Sequence, residues 1–295
     1  MLFSEYYKRV VEYIGDIKLV FEFDKNVSGI SYFLNQKGAL SKYLQSSEIV
    51  RDRELLRNNQ TWLKYQSDFN KKIIVGNERL WFYCHESVWS PSIDAAFLID
   101  VLLKKEGVDK LNIESLLDFG CGTGVMGISI ARFNNKVKKL HLIDSNESAL
   151  FSTYVNVLGN KVDCNFNISN NLDVTNKFDL GIITPYYFPV IKELEENPEK
   201  AIIEAGIDSA NLTNLVANNS KLTYFIYSST TEKSYLNNLK FDFEFVDELL
   251  VPFTLGDNVS NQSFLDTALN KDMLFIKDKG QFKYWHKITI GRIKN

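Results

Sequence analysis

At 295 residues, with 45% hydrophobic and 24% charged side chains, the chain has ordinary globular proportions and enough apolar mass for a substantial core, which excludes a disordered or fibrous polypeptide. A formal net charge of −3 argues against a surface built throughout for nucleic acid. The length suits one catalytic domain with a smaller accessory region.

The first 24 residues intersperse Glu5, Lys8, Arg9, Glu12, Asp16 and Lys18 among their apolar positions, so they lack the uninterrupted run of a secretory signal. No later stretch approaches the roughly 20 apolar residues of a membrane span. A cytoplasmic protein without membrane contact is therefore expected. Cys84, Cys121 and Cys164 are odd in number and far apart, with no C-x-x-C pair, and His85, His141 and His286 have no ligand spacing. They read as buried or loop thiols and core imidazoles, and no metal is expected. Basic runs at Lys37 to Arg79 and Lys271 to Lys294 read as solvated surface.

In chain order, Phe3, Tyr6, Tyr7, Val10, Val11 and Ile14 recur at helical spacing, and Lys18 to Phe23 alternates like a strand. Helical stretches follow around Tyr32 to Leu44 and Ser47 to Asn58. Lys72 to Val75 and Glu78 to His85 are β-rich runs separated by Gly76-Asn77, a hairpin signal. Residues 1–86 are expected to form a smaller N-terminal mixed α/β domain on the substrate side.

Ser90-Pro91-Ser92 caps a helix whose apolar face carries Ala95, Ala96, Leu98, Ile99, Leu102 and Leu103, and it opens a second domain, residues 87–295. Strand-like and helical runs then alternate: Leu116 to Phe119, Val125 to Arg132, Lys139 to Asp144, Asn146 to Leu158. Val162 to Asn167, Phe178 to Thr184, a helix over about Ser209 to Ala217, and Leu222 to Ser228 follow. The last two runs, Phe241 to Pro252 and Trp285 to Ile293, are separated by a long polar loop. This order predicts an α/β fold, a seven-stranded mostly parallel sheet with helices on both faces and an antiparallel final strand.

The strongest local signal is Asp118-Phe119-Gly120-Cys121-Gly122-Thr123-Gly124 between an apolar strand and a helix. Glycines there let the backbone turn sharply and approach a ligand that a Cβ would hold away. About twenty residues on, the next strand ends at Asp144, where a carboxylate can accept hydrogen bonds from a ribose diol. A dinucleotide fingerprint would need its third glycine where Val125 stands, and Asp118 would repel a pyrophosphate while suiting an ammonium, so a dehydrogenase is disfavoured.

These residues resemble the class I S-adenosylmethionine-dependent methyltransferases, over roughly Val88 to the C-terminus. The resemblance implies S-adenosylmethionine as cofactor, with Asp118 and the Gly120 to Gly124 backbone, Cys121 and Thr123 included, around its methionine and ribose. It implies that Asp144, beside Ser145, holds the ribose hydroxyls.

Thr184-Pro185-Tyr186-Tyr187, after the fourth strand, is similar to the Asn-Pro-Pro-Tyr motif of enzymes that methylate adenine, guanine or glutamine nitrogens. In that family the Asn side chain and the first proline's carbonyl accept hydrogen bonds from the target NH2 and the aromatic stacks on its plane. Two acceptors localise the amine lone pair toward the methyl group. By that likeness Thr184, Pro185 and Tyr186 are the candidate catalytic residues, with Thr184 also beside the cofactor and Tyr187 facing substrate or core.

Val88 to Asp94 resembles the proline-containing stretch before the first helix of that branch, which makes Trp89 and Pro91 substrate candidates. Ser169-Asn170 resembles a Ser-Asn pair near the cofactor's adenine in ribosomal guanine methyltransferases. Glu204 to Asp208 resembles a Gly-rich turn of glutamine methyltransferases. Thr in place of Asn, and Tyr186 in place of the second proline, depart from the motif. The acceptor therefore stays open among RNA, protein and a small molecule, as does a cofactor-binding module without catalysis.

Overall fold

The computed structural model describes residues 70–75, 78–84, 88, 93–160, 162–171, 176–185, 197–252, 262–279 and 282–295. The helices and strand expected before residue 60, the Gly76-Asn77 turn and the Ser90-Pro91-Ser92 cap lie outside the described residues. The chain divides into two compact units, one ending at Asn176 and the other beginning at Lys177.

The first described element of this unit is the expected hairpin, β1 (Asn70–Val75) antiparallel to β2 (Glu78–Tyr83), in a register that sets Val75 opposite Glu78. Leu80 and Phe82 alternate inward on β2, the period of two that a half-buried strand requires. Helix α1 (Ile93–Asp100) continues into a π-helical turn, Val101–Lys105.

Three parallel strands follow in the order β5-β4-β3: β3 (Ser115–Phe119), β4 (Lys139–Ile143) and β5 (Asn165–Ser169). Registered pairs Phe119–Ile143 and Ile143–Ser169 bring their carboxyl ends level. The crossovers are α2 (Val125–Phe133) and α3 (Glu147–Gly159), and both pack on β4. Leu116, Leu117, Leu140 and Leu142 are fully buried, as strands covered by helices demand.

In the second unit β6 (Phe178–Ile183) runs parallel to β7 (Ser220–Ser228), and β7 is antiparallel to β10 (Phe282–Lys294). The far edge of β10 pairs antiparallel with β8 (Glu244–Pro252). Parallel pairing in both units, with antiparallel pairing in the β1–β2 hairpin and among the final strands, is the α/β class the sequence predicts.

Three expectations need correction. The polar loop before β10 instead contains α6 (Gln262–Asn270) and β9 (Phe275–Lys279), a strand beyond those expected, which pairs with β10. Phe264, Leu265 and Ala268 of α6 bury against Ala201 and Ile202, so a short amphipathic face suffices among polar neighbours. The helix expected at Ser209 to Ala217 starts far earlier: α4 spans Pro198–Asn218, with Asn197 accepting the Lys200 amide and Pro198 in the first turn.

Glu204 to Asp208 is accordingly the interior of α4 and forms no turn. Gly206 allows close contact, since an added Cβ would run into the hydroxyl of Ser234 in α5 (Glu232–Asn238) and lie 3.0 Å from Ser234 Cβ and from the carbonyl of Thr231, the residue before that helix. Behind this contact the buried Tyr235 stacks on Tyr227 at 5.3 Å between centroids and shares a 2.7 Å hydrogen bond with Thr213.

Candidate functional site

Gly120, Gly122 and Gly124 all adopt left-handed φ values, +71°, +56° and +74°, in the turn between β3 and α2. That conformation is costly for a residue with a Cβ and nearly free for glycine, so glycine at these three alternate positions lets the turn form with little strain. The Gly120 and Cys121 amides both donate to the Ile143 carbonyl, at 2.7 and 2.9 Å, which ties the turn to the end of β4. Among the described residues, and apart from its chain neighbours, no heavy atom lies within 4 Å of where a Gly120 Cβ would stand, so the turn borders open space there.

Asp118, one residue before the end of β3, is fully buried. Its Oδ2 accepts the Gly127 amide at 2.8 Å. It thereby serves the first turn of α2, whose N-cap Gly124 has no side chain to offer. Oδ1 is buried without a hydrogen-bond partner among the described residues. Burial raises the carboxyl from 3.8 to about 7, the Gly127 amide opposes this, and the nearby Asp144 charge adds to it. A cation arriving beside Oδ1 would satisfy that atom and favour its ionised form.

Asp144 closes β4 and is half-buried. Its Oδ2 accepts the Gly122 amide at 2.8 Å and its Oδ1 the Asn146 amide at 2.9 Å. A carboxylate oxygen can accept more than one hydrogen bond, so both retain capacity toward a diol. Ser169, the last residue of β5, exchanges hydrogen bonds with Asn171, and its carbonyl receives the Asp144 amide at 3.3 Å. Ser145 and Asn170 are exposed beside these positions. Asp118, the glycine turn, Asp144 and Ser169 are thus gathered at the carboxyl ends of adjacent parallel strands, where open α/β sheets place ligands.

Thr184 and Pro185 follow β6 directly in the second unit, half-buried and buried respectively. Trp89, Pro91, Tyr186 and Tyr187 lie outside the described residues.

Two groups at the turn escaped the sequence reading. From α3, Thr153 donates to the Gly122 carbonyl at 2.8 Å and Asn156 to the Thr123 carbonyl at 2.8 Å. The available signal was a helix whose buried stretch, residues 151–157, includes polar side chains that must find partners inside.

Cys121 is buried with its sulfur 3.5 Å from the Thr153 hydroxyl, and burial holds its thiol well above the usual range, which disfavours the reactive thiolate. Cys84 and Cys121 are buried, Cys164 is half-buried, and all three are unbridged. Among the described residues no cluster of three or more His, Cys, Asp or Glu side chains is placed to hold a metal, and no helix is long and apolar enough to cross a membrane.

Residues 79–229 match the family described as methyltransferase small domain. A probable cobalt-precorrin-6B C(15)-methyltransferase (decarboxylating) of Methanococcus maripaludis is 24% identical over 141 residues, 45% of this chain and 76% of that protein. The M. jannaschii tRNA m1G37 methyltransferase structure is 14% identical, with a TM-score of 0.47, covering 77% of this chain and 55% of that one. The T. thermophilus 16S rRNA N2 G1207 methyltransferase, solved with AdoMet and guanosine, is 11% identical with a TM-score of 0.46, covering 77% and 50%.

Proposed function

The chain belongs to the methyltransferase small domain family and is an S-adenosylmethionine-dependent methyltransferase, and from that premise we propose that it methylates an amino or amide nitrogen of a nucleic-acid base or a protein glutamine. The observation that carries this reading is the position of Thr184-Pro185. The pair leaves the carboxyl end of a parallel strand, with Pro185 buried and Thr184 half-buried, in a sequence similar to the Asn-Pro-Pro-Tyr motif.

The residues at the glycine turn fit the cofactor. Among the described residues the space beside Gly120 is open to a ligand at backbone distance and the buried Asp118 Oδ1 lacks a partner that an ammonium would supply, and Asp144 offers a carboxylate to a ribose diol. We assign Asp118 and Gly120 to Gly124 to the methionine and ribose moieties, Asp144 and Ser145 to the ribose hydroxyls, and Ser169 and Asn170 to the adenine. Bound there, S-adenosylmethionine supplies a methyl group made electrophilic by the sulfonium charge.

The chain contributes positioning and electrostatics, with no covalent intermediate. The Thr184 hydroxyl and the Pro185 carbonyl accept hydrogen bonds from the target NH2, drawing its lone pair out of conjugation, while Tyr186 stacks on the acceptor plane. Thr184 also borders the cofactor. Trp89, Pro91 and Tyr187 complete the acceptor side, and residues 1–86 form the accessory region in front of the methyltransferase domain, 87–295.

Incubation with tritiated S-adenosylmethionine and fractionated lysate tests this reading. Label released by RNase or by protease supports a base or a glutamine as acceptor. Label in a small molecule resistant to both supports the second reading, a small-molecule acceptor, which the 24% identity to a cobalt-precorrin methyltransferase favours.

A further inference from the structure

Helix α3 carries two buried polar side chains whose partners lie in the glycine turn. Thr153 is fully buried and Asn156 2% exposed, and they stand three residues apart on one face of the helix. The Thr153 hydroxyl donates to the Gly122 carbonyl and the Asn156 carboxamide to the Thr123 carbonyl, each at 2.8 Å. The same helix presses on the turn at Gly124, where an added Cβ would lie 3.1 Å from Thr153 Cγ2.

A peptide unit is planar, so fixing a carbonyl also fixes the N–H of the following residue. Thr153 therefore sets the Gly122–Thr123 plane and Asn156 the Thr123–Gly124 plane, while Asp144 sets the plane before Gly122 through its amide. Three consecutive planes are thereby held by side chains from β4's end and from α3. Glycine's backbone has several low-energy conformations, and without these anchors the turn would sample them.

We propose that Thr153 and Asn156 are cofactor-positioning residues, which hold the glycine turn in the shape that receives S-adenosylmethionine. The proposal rests on the turn being the cofactor site. A helix with no other assigned role at the site thereby sets part of the cofactor's affinity. A merely structural account would have both side chains satisfy their own buried polar atoms, with no consequence for binding.

The test is calorimetry with S-adenosylhomocysteine on the full chain. Thr153→Val, which keeps shape and removes the donor, is expected to weaken binding about tenfold, and Thr153→Ser to restore it to within about twofold. Ser152→Ala removes a neighbouring buried hydroxyl that donates to the Ser148 carbonyl within the helix, and is expected to leave affinity at the wild-type level even where it lowers the melting temperature. In amide spectra of the unliganded protein, the Gly122 and Gly124 resonances move in Thr153→Val and stay in place in Ser152→Ala.

Wild-type affinity in Thr153→Val, or an equal loss in Ser152→Ala, overturns the proposal. Should Thr153→Val fail to fold, Asn156→Asp carries the same test: it is isosteric, presents an acceptor to the Thr123 carbonyl, and is expected to bind more weakly than wild type. Gly122→Ala separates the two layers. Undiminished binding there removes the turn as cofactor site, whereas a loss there with none in Thr153→Val removes only the role of α3.

Discussion

The Asp144 carboxylate accepts the Gly122 amide at 2.8 Å across 22 residues, so the acid closing β4 and the middle glycine of the turn after β3 share one hydrogen bond. The carboxylate thus braces the turn, and in the proposed assignment it also holds the ribose hydroxyls. Asp144→Ala removes both functions. S-adenosylmethionine affinity, measured by calorimetry, is expected to fall on the order of a hundredfold, since hydrogen bonds to a charged group are involved. Wild-type affinity in that variant means the ribose is held elsewhere.

In the proposed reading Thr184 takes the place of the Asn of the Asn-Pro-Pro-Tyr motif. Thr184→Val keeps the side-chain volume and removes the acceptor, and methyl transfer into the labelled acceptor fraction is expected to slow on the order of a hundredfold. Thr184→Asn supplies the longer carboxamide and is expected to raise turnover above wild type. Turnover that is unchanged or abolished in Thr184→Asn speaks against Thr184 taking the Asn role.

Two buried groups make stability depend on pH in opposite directions. Asp118 keeps its proton to about 7 because burial disfavours the carboxylate, whereas the unfolded chain releases it near 3.8. Its contribution to stability is therefore full below about pH 4 and is lost as pH rises through about 7. His286 is buried against Ser228, and burial lowers it from 6.5 to about 3. Its contribution is full above 6.5 and is lost as pH falls toward 3. Urea midpoints of the wild type relative to Asp118→Asn are expected to decline from about pH 4.5 to 8. A constant difference over that range contradicts the assignment of Asp118.

Gly206 lets α4 and α5 approach closely. Gly206→Ala gains helix propensity of about 1 kcal/mol but drives a methyl against Ser234 Cβ and the Thr231 carbonyl, which is backbone and unable to rotate away. A net loss of about 1–2 kcal/mol in urea unfolding is expected. A stabilised variant would mean that the two helices shift apart at little cost.

The glycine turn and Asp144 were legible because their chemistry is local: glycine spacing and a strand-end acid carry the signal within a few residues. The hairpin and the parallel strands were legible for the same reason, since their periodicity lies within single elements. The first half of α4 was missed because its start depends on one cap, Asn197-Pro198, and its apolar residues are diluted by Glu, Lys and Gly. Helix α6 was missed because Phe264, Leu265 and Ala268 become a face only against Ala201 and Ile202, some 60 positions away in a chain that gives no sign of the pairing. Thr153 and Asn156 look like ordinary helix polar residues until the fold buries them under the turn.

A crystal soaked with S-adenosylhomocysteine bears most directly on the central claim. Density for the nucleoside against the Gly120 to Gly124 backbone, with its ribose hydroxyls on the Asp144 carboxylate and its ammonium toward Asp118, is the predicted result. A nucleoside bound elsewhere, or that crevice filled by side chains or by a pyrophosphate cofactor, would contradict it.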